Sequence, residues 1–188
     1  MKKIIALLLA LSLILLVGCG GKKSKNDFKG VDVEYYAKLG QIPESEIALG
    51  ADVDATYDDL KEKYEHKETD EELPHEDTFC LQFTEGEYTV ISVPTVNYYY
   101  KTEEKDKGIS CIAIFEKAYG FPLGTMYIEI QDDMTRRGFD AEIKPLDKET
   151  GFFMPYIEGC QYLEYKFEKA KVIFVFHENA LAATAIIR

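Results

Sequence analysis

The side chains able to do chemistry are few and scattered. Asp52, Asp54, Thr56 and Asp58 alternate along one stretch and offer oxygen ligands of the kind a calcium loop uses. An EF-hand loop needs glycine at its sixth place and glutamate at its twelfth. Tyr57 and Lys63 stand there. The acids are read instead as a helix start, with Asp52 or Asp54 as the cap and an acidic first turn that suits the helix dipole. His66, His75 and His177 are the only histidines, and neither a His-Glu-x-x-His nor a paired Cys-x-x-Cys spacing occurs. His75-Glu76-Asp77 reads as part of a polar loop, so no metal and no other cofactor is expected. A cysteine hydrolase needs a thiol beside a base. Cys80, Cys111 and Cys160 are three candidates, and nothing in their spacing places one against a histidine. There is no Gly-x-Ser-x-Gly elbow and no glycine loop for phosphate. The chain is expected to be non-enzymatic, with an extracytoplasmic cysteine-dependent enzyme as the alternative.

The fourth cysteine points to different chemistry. Lys2-Lys3 is a basic start, and Ile4 to Val17 is an uncharged apolar run of 14 residues. A membrane-spanning helix needs roughly 20. The run ends in Leu16-Val17-Gly18-Cys19, with small residues directly before the cysteine. This resembles the bacterial lipobox. The resemblance implies cleavage before Cys19, a diacylglycerol thioether on its sulfur, and a chain anchored at the cell membrane on the extracytoplasmic face. Residues 1–18 are then a lipoprotein signal peptide. Residues 19–44 are expected to hold the lipidated cysteine and a flexible linker, because Gly20 to Asn26 carry lysines and no apolar period. Cys80, Cys111 and Cys160 are an odd remainder. They are read as small buried hydrophobes, with a Cys80–Cys111 bridge as the other possibility if their strands are neighbours.

The whole chain carries a net charge of −12; without residues 1–18, 20 basic residues face 34 acids, giving −14. An acidic surface disfavours nucleic acid, whose phosphates need basic partners. It also leads us to expect the domain to stand off from an anionic lipid surface.

The remaining sequence contains a repeating plan. Leu49-Gly50 precedes one candidate helix carrying Asp58-Asp59-Leu60, and Leu123-Gly124 precedes another carrying Asp132-Asp133-Met134. Phe79 and Glu85-Gly86 follow the first; Phe152 and Glu158-Gly159 follow the second. The offsets are 74, 74, 73 and 73, and the closing strands Ile109–Phe115 and Leu181–Ile187 align at 72. Together these predict a tandem duplication. Each unit is one helix followed by about four antiparallel strands, over residues 45–117 and 118–188. The fold class is α+β, with the helices on one face of the sheet.

Helix one carries Val53, Tyr57, Leu60 and Tyr64 as a stripe; helix two carries Met126, Ile130 and Met134, with Thr125 as cap and Gly138 as stop. Strands are expected at 79–84, 88–93, 96–101 and 109–115, then weakly at 152–156, and at 162–167, 171–176 and 181–187. Period two puts Leu163, Tyr165 and Phe167 on one face and Tyr162, Glu164 and Lys166 on the other. It likewise separates Val96, Tyr98 and Tyr100 from Asn97, Tyr99 and Lys101. If the first set in each strand faces the helices, the second lies on an open polar face. Tyr99 and Tyr162 would be contact residues there, rimmed by Asn97, Lys101, Glu164 and Lys166.

A duplicated helix-plus-sheet unit of this length resembles the tandem fold of β-lactamase inhibitor protein. The Leu-Gly helix entries and the Asn179-Ala-Leu-Ala-Ala-Thr-Ala-Ile ending resemble lipoproteins of low-GC Gram-positive bacteria. The likeness spans about 45–188. It implies protein binding on the concave sheet and transfers no inhibitory residue. The chain departs in having too few cysteines for two disulfides, and Gly50-Ala-Asp and Gly124-Thr-Met where the family has Gly-Met-Thr. The expected partners are the membrane, through the lipid, and a protein or peptide. The other non-enzymatic role is structural, in envelope assembly.

Overall fold

The computed structural model describes residues 30–64, 66–67 and 79–188. The expectations for the signal peptide, Cys19 and His75 lie outside the described residues.

The first described element is α1, Val33–Lys38. Asp32 caps it by accepting from Tyr35 N, and Lys38 pairs with Glu34 at 2.7 Å. Val33, Ala37 and Ile42 are fully buried. Val31 N donates to Tyr119 O at 2.9 Å, Arg137 Nη2 donates to Gly30 O at 2.7 Å, and the Glu44 carboxylate accepts from Tyr119 N and Gly120 N. This corrects the linker reading of residues 19–44: residues 30–44 are part of the packed body. One turn of helix holds only one i,i+4 apolar pair, too little for periodicity to stand out.

Helix α2, Val53–Lys63, starts as anticipated, with the Asp52 carboxylate accepting from Ala55 N. Val53, Thr56 and Leu60 are buried. Helix α3, Tyr127–Arg136, buries Ile130 and Met134, while Met126 precedes it in the cap position and is exposed. Thr125 is not the cap, because its hydroxyl donates to Pro122 O. Gly138 follows the C-cap Arg137 at φ +94°, a left-handed conformation that glycine adopts without a Cβ clash.

Nine strands of the described residues form one sheet: β1 (His66–Lys67), β2 (Phe79–Glu85), β3 (Tyr88–Val93), β4 (Val96–Lys101), β5 (Cys111–Ile114), β6 (Lys144–Pro145), β7 (Cys160–Lys166), β8 (Lys171–His177) and β9 (Ala180–Ile187). The spatial order is β1-β2-β3-β4-β5-β9-β8-β7-β6. Every neighbouring pair is antiparallel except β1 with β2. The fold is therefore α+β with an antiparallel sheet. A 3₁₀ turn, Thr102–Lys107, joins β4 to β5. The strands of the two chain halves meet at one seam, where Cys111 faces Ile187 and Ala113 faces Ala185.

Alternation along the strands feeds two cores. One joins Val33, Val53, Leu60, Ile130 and Met134 of the helices to sheet residues including Ile91, Tyr98, Leu163, Tyr165 and Phe174. The other takes the intervening residues, among them Val90, Tyr99, Tyr162, Ile173 and Val175, and packs them on Leu146, Phe153 and Met154. Strand β8 feeds both, as a central strand must. The second face is consequently not open. The segment 146–157 lies on it, with Phe152 stacked on Tyr88 at 4.1 Å and edge-on to Tyr99 at 5.5 Å. Aromatic burial of this kind is worth about 1.5–3 kcal/mol per side chain. The sheet therefore gains by carrying its own cover.

Candidate binding groove

The six residues expected on an open face divide in two. Tyr99 is 1% exposed, and its hydroxyl accepts from Asn97 Nδ2 at 3.0 Å and donates to Phe153 O at 3.2 Å. Asn97 is buried and accepts from Ser92 Oγ. Tyr162 is buried in the same core. The expectation that Tyr99, Tyr162 and Asn97 face solvent is thus corrected. Alternation assigns a face correctly but says nothing about what covers it. The covering segment, interrupted by Gly151 and Pro155, has no period that would announce it.

Lys101, Glu164 and Lys166 do reach the surface, but in different places. Lys101 sits 3.9 Å from Glu87 and 5.9 Å above the Tyr88 ring. It lines a depression of about 360 Å³ with Gly86, Glu87 and Thr102–Glu104. Glu164 bridges Lys166 at 3.2 Å and Lys171 at 3.6 Å. Glu164 and Lys166 line a larger groove of about 650 Å³, walled by residues 138–142 and Lys144.

Strand β7 supplies the floor of this groove. Leu146 N donates to Cys160 O at 2.9 Å, so Cys160 turns its backbone polar groups toward β6. Alternation sends those of Tyr162, Glu164 and Lys166 the same way. Strand β6 pairs only with Gln161 and Tyr162. Among the described residues, no strand meets β7 at Glu164 and Lys166, which leaves a short open edge inside the groove. Tyr165 lies between them. It is 2% exposed, and its buried hydroxyl has no hydrogen-bond partner. Burial, reinforced by Asp140 and Asp133, pushes its pKa up, so the phenol is a proton donor at neutral pH. The opposite wall is fixed by α3, from which Gln131 Nε2 donates to Ala141 O at 2.7 Å. Asp133, fully buried, is held by Arg136 and Arg137. The groove thus offers backbone donors and acceptors along the open edge and side-chain charges of both signs. Tyr165 lies on the helix side of β7 and is core, as alternation reads it.

The structure also brings together a thiol and an imidazole that spacing does not link. Cys160 and His177 are directly opposed across β7 and β8. The folding-back of β7 onto β8 around residues 167–170 was the available signal. Cys160 is 3% exposed, its Sγ lies 3.8 Å from Tyr156 O, and burial raises its pKa. His177 packs edge-on against Tyr156 at 5.2 Å. A shielded, protonated thiol is a poor nucleophile. Cys111 is free and fully buried, and burial pushes its thiol up further. Among the described residues, no three His, Cys, Asp or Glu side chains converge on a metal position, and no helix is long and apolar enough to cross a membrane. Comparison with protein-family models, with curated proteins and with solved structures finds nothing that matches this chain.

Proposed function

We propose that the chain is a non-enzymatic lipoprotein, anchored at the extracytoplasmic face of the cell membrane through Cys19, that binds an extended protein or peptide segment in the groove beside β7. The observation that carries the binding reading is the open backbone edge at Glu164 and Lys166 inside the groove. An added strand would pair that edge. The cysteine-enzyme alternative has one observation in its favour, the Cys160–His177 pairing. The shielding of the thiol weighs against it.

The architecture behind this reading is a tandem duplication with the helices on one side of the sheet. Gly50 and Gly124 have φ +81° and +83°, and Gly86 and Gly159 have +60° and +74°. Gly50 N donates to Ile109 O while Ile109 N donates to Ala51 O; Gly124 N donates to Leu181 O while Leu181 N donates to Thr125 O. The same two-bond clasp therefore recurs at the offsets found in the sequence. Leu60 and Met134 are both buried in the helix-bearing core. These repeats support descent from one unit.

The experiment is affinity capture from envelope extract with the mature, unlipidated chain. Lys166→Pro, which removes an edge N–H without breaking a bond to β8, and Lys166→Glu should keep the fold and lose the captured protein. Undiminished capture by both variants would move the site elsewhere. Rapid alkylation of Cys160 in the folded protein would favour the enzyme instead. Cys19→Ala should release the protein from the membrane, and continued association through a high-salt wash counts against lipid anchoring at that residue.

A further inference from the structure

The outer side of α1 carries apolar residues beside the exposed Asp32 and Lys38, where solvent would favour polar ones throughout. Val31 is 37% exposed, Tyr35 57% and Leu39 50%. Tyr35 and Leu39 are one helical turn apart, and Val31 directly precedes the cap Asp32. Val33 and Ala37 use the opposite side of the helix to enter the core. Among the described residues, Tyr36 meets the Tyr35 ring edge-on at 5.2 Å, and the three residues stay partly open. Their position along the chain indicates what covers them. Cys19 lies only 11 residues before Gly30. Whatever path those residues take, their covalent reach is at most about 40 Å. If Cys19 is lipidated, α1 is the first described element after the bilayer.

We infer that Val31, Tyr35 and Leu39 seat α1 on the lipid surface. The inference rests on the lipid-anchor reading above and adds to it the face that the body presents to the membrane. Tyrosine favours the boundary between head groups and acyl chains, where its ring is apolar and its hydroxyl is wet. Lys22, Lys23, Lys25 and Lys29 precede the helix and complement anionic head groups. Within α1, Glu34 is paired with Lys38, and Asp32 accepts the capping bond from Tyr35 N. Glu168 also acts on Lys38, and acids of the body more than about 8–10 Å from the lipid are screened at physiological salt. The body stands off while its first helix touches.

The sequence contains no tryptophan, so one introduced indole is an unambiguous reporter. The mature lipidated protein carrying Tyr35→Trp is reconstituted into phosphatidylcholine–phosphatidylglycerol vesicles, with and without lipids brominated near the head group. The expected result is a blue-shifted emission that the brominated lipid quenches. Adding Val31→Ser and Leu39→Ser should abolish both effects while the melting temperature is retained. Tyr156→Trp, at a residue of similar exposure, reports whether any exposed aromatic behaves this way. Equal quenching of both reporters overturns the assignment to α1. Mass spectrometry of Cys19 separates the two possible failures. An unmodified Cys19 removes the anchor and the inference with it. A lipidated Tyr35→Trp protein whose indole emission is unshifted and unquenched overturns the inference alone.

Discussion

Gly50 and Gly124 occupy the left-handed region at nearly the same φ. An added Cβ at Gly124 meets nothing within 4 Å, and at Gly50 only the end of Arg188 at 3.7 Å. Alanine at either position therefore incurs the backbone term alone, about 1–2 kcal/mol. Chemical denaturation of Gly50→Ala and Gly124→Ala should show equal losses; unequal ones would count against equivalent roles. Gly108, also at positive φ, differs. A Cβ there would lie 2.7 Å from Gly50 O, against backbone that cannot swing aside. Gly108→Ala should be worse than either. Tyr165→Phe should go the other way, gaining about 1 kcal/mol by deleting an unsatisfied buried hydroxyl. A loss instead would mean that the hydroxyl has a partner in solution. Tyr99→Ala should cost about 3–5 kcal/mol, the range for emptying a buried aromatic site, because Tyr99 carries both ring contacts and the bond to Phe153 O. A cost near zero would place it at the surface after all.

Segment 146–157 has no regular structure of its own, yet it closes the second core. Its hold is local and aromatic: Phe152 lies between Tyr88, Tyr99 and Phe153. Phe152 is only partly buried, so Phe152→Ala should cost less than Tyr99→Ala, about 2 kcal/mol. Amide exchange should accelerate in 146–157 and at the exposed ends of β3 and β4, with α2 and α3 unaffected. Uniform acceleration across the sheet would show that the cover and the strands open as one. This segment also marks the boundary of what the residues disclose. Period-two alternation in β4 and β7 correctly separates Tyr98 from Tyr99 and Leu163 from Tyr162, because a strand fixes side-chain direction by its own geometry. The cover over Tyr99 depends on a contact between the two chain halves, which no local pattern encodes. Helix α1 is hidden by its brevity. The open edge of β7 is hidden because it depends on where β6 stops. Alternation marks Glu164 and Lys166 for a polar face, and they belong to a groove. Tyr165, read as core from alternation, is core, its hydroxyl included.

At the scale of the molecule, the interior is rich in groups that must stay protonated. Burial raises the pKa of the Cys111 and Cys160 thiols and of the Tyr98, Tyr119 and Tyr165 phenols, and pushes Tyr88 up to about 12. In the unfolded chain the thiols lose their protons near pH 9 and the phenols near pH 10. The folded state keeps those protons longer. Above pH 9 the unfolded state therefore binds fewer protons, and the free energy of unfolding falls as pH rises. A group fully protonated when folded and fully ionised when unfolded contributes a slope of about 1.4 kcal/mol per pH unit. Cys111, fully buried, should set the first slope above pH 9, with Tyr119 and Tyr165 steepening it above pH 10. The acidic side should be gentler, since the lowered carboxyls, Glu104 and Asp147, lie on the exposed surface. Growing net negative charge acts in the same alkaline direction, so the wild-type curve alone does not isolate the thiol. Cys111→Ala does, because it deletes one titrating group and leaves the surface charge unchanged. Urea midpoints at pH 8, 9.5 and 10.5 should fall more slowly for Cys111→Ala than for the wild type. The difference should grow more steeply per pH unit between the last two values, where the unfolded thiol is almost wholly ionised and the folded one is not. Parallel loss throughout would mean that Cys111 ionises freely in the folded protein and that the β5–β9 seam is open to water.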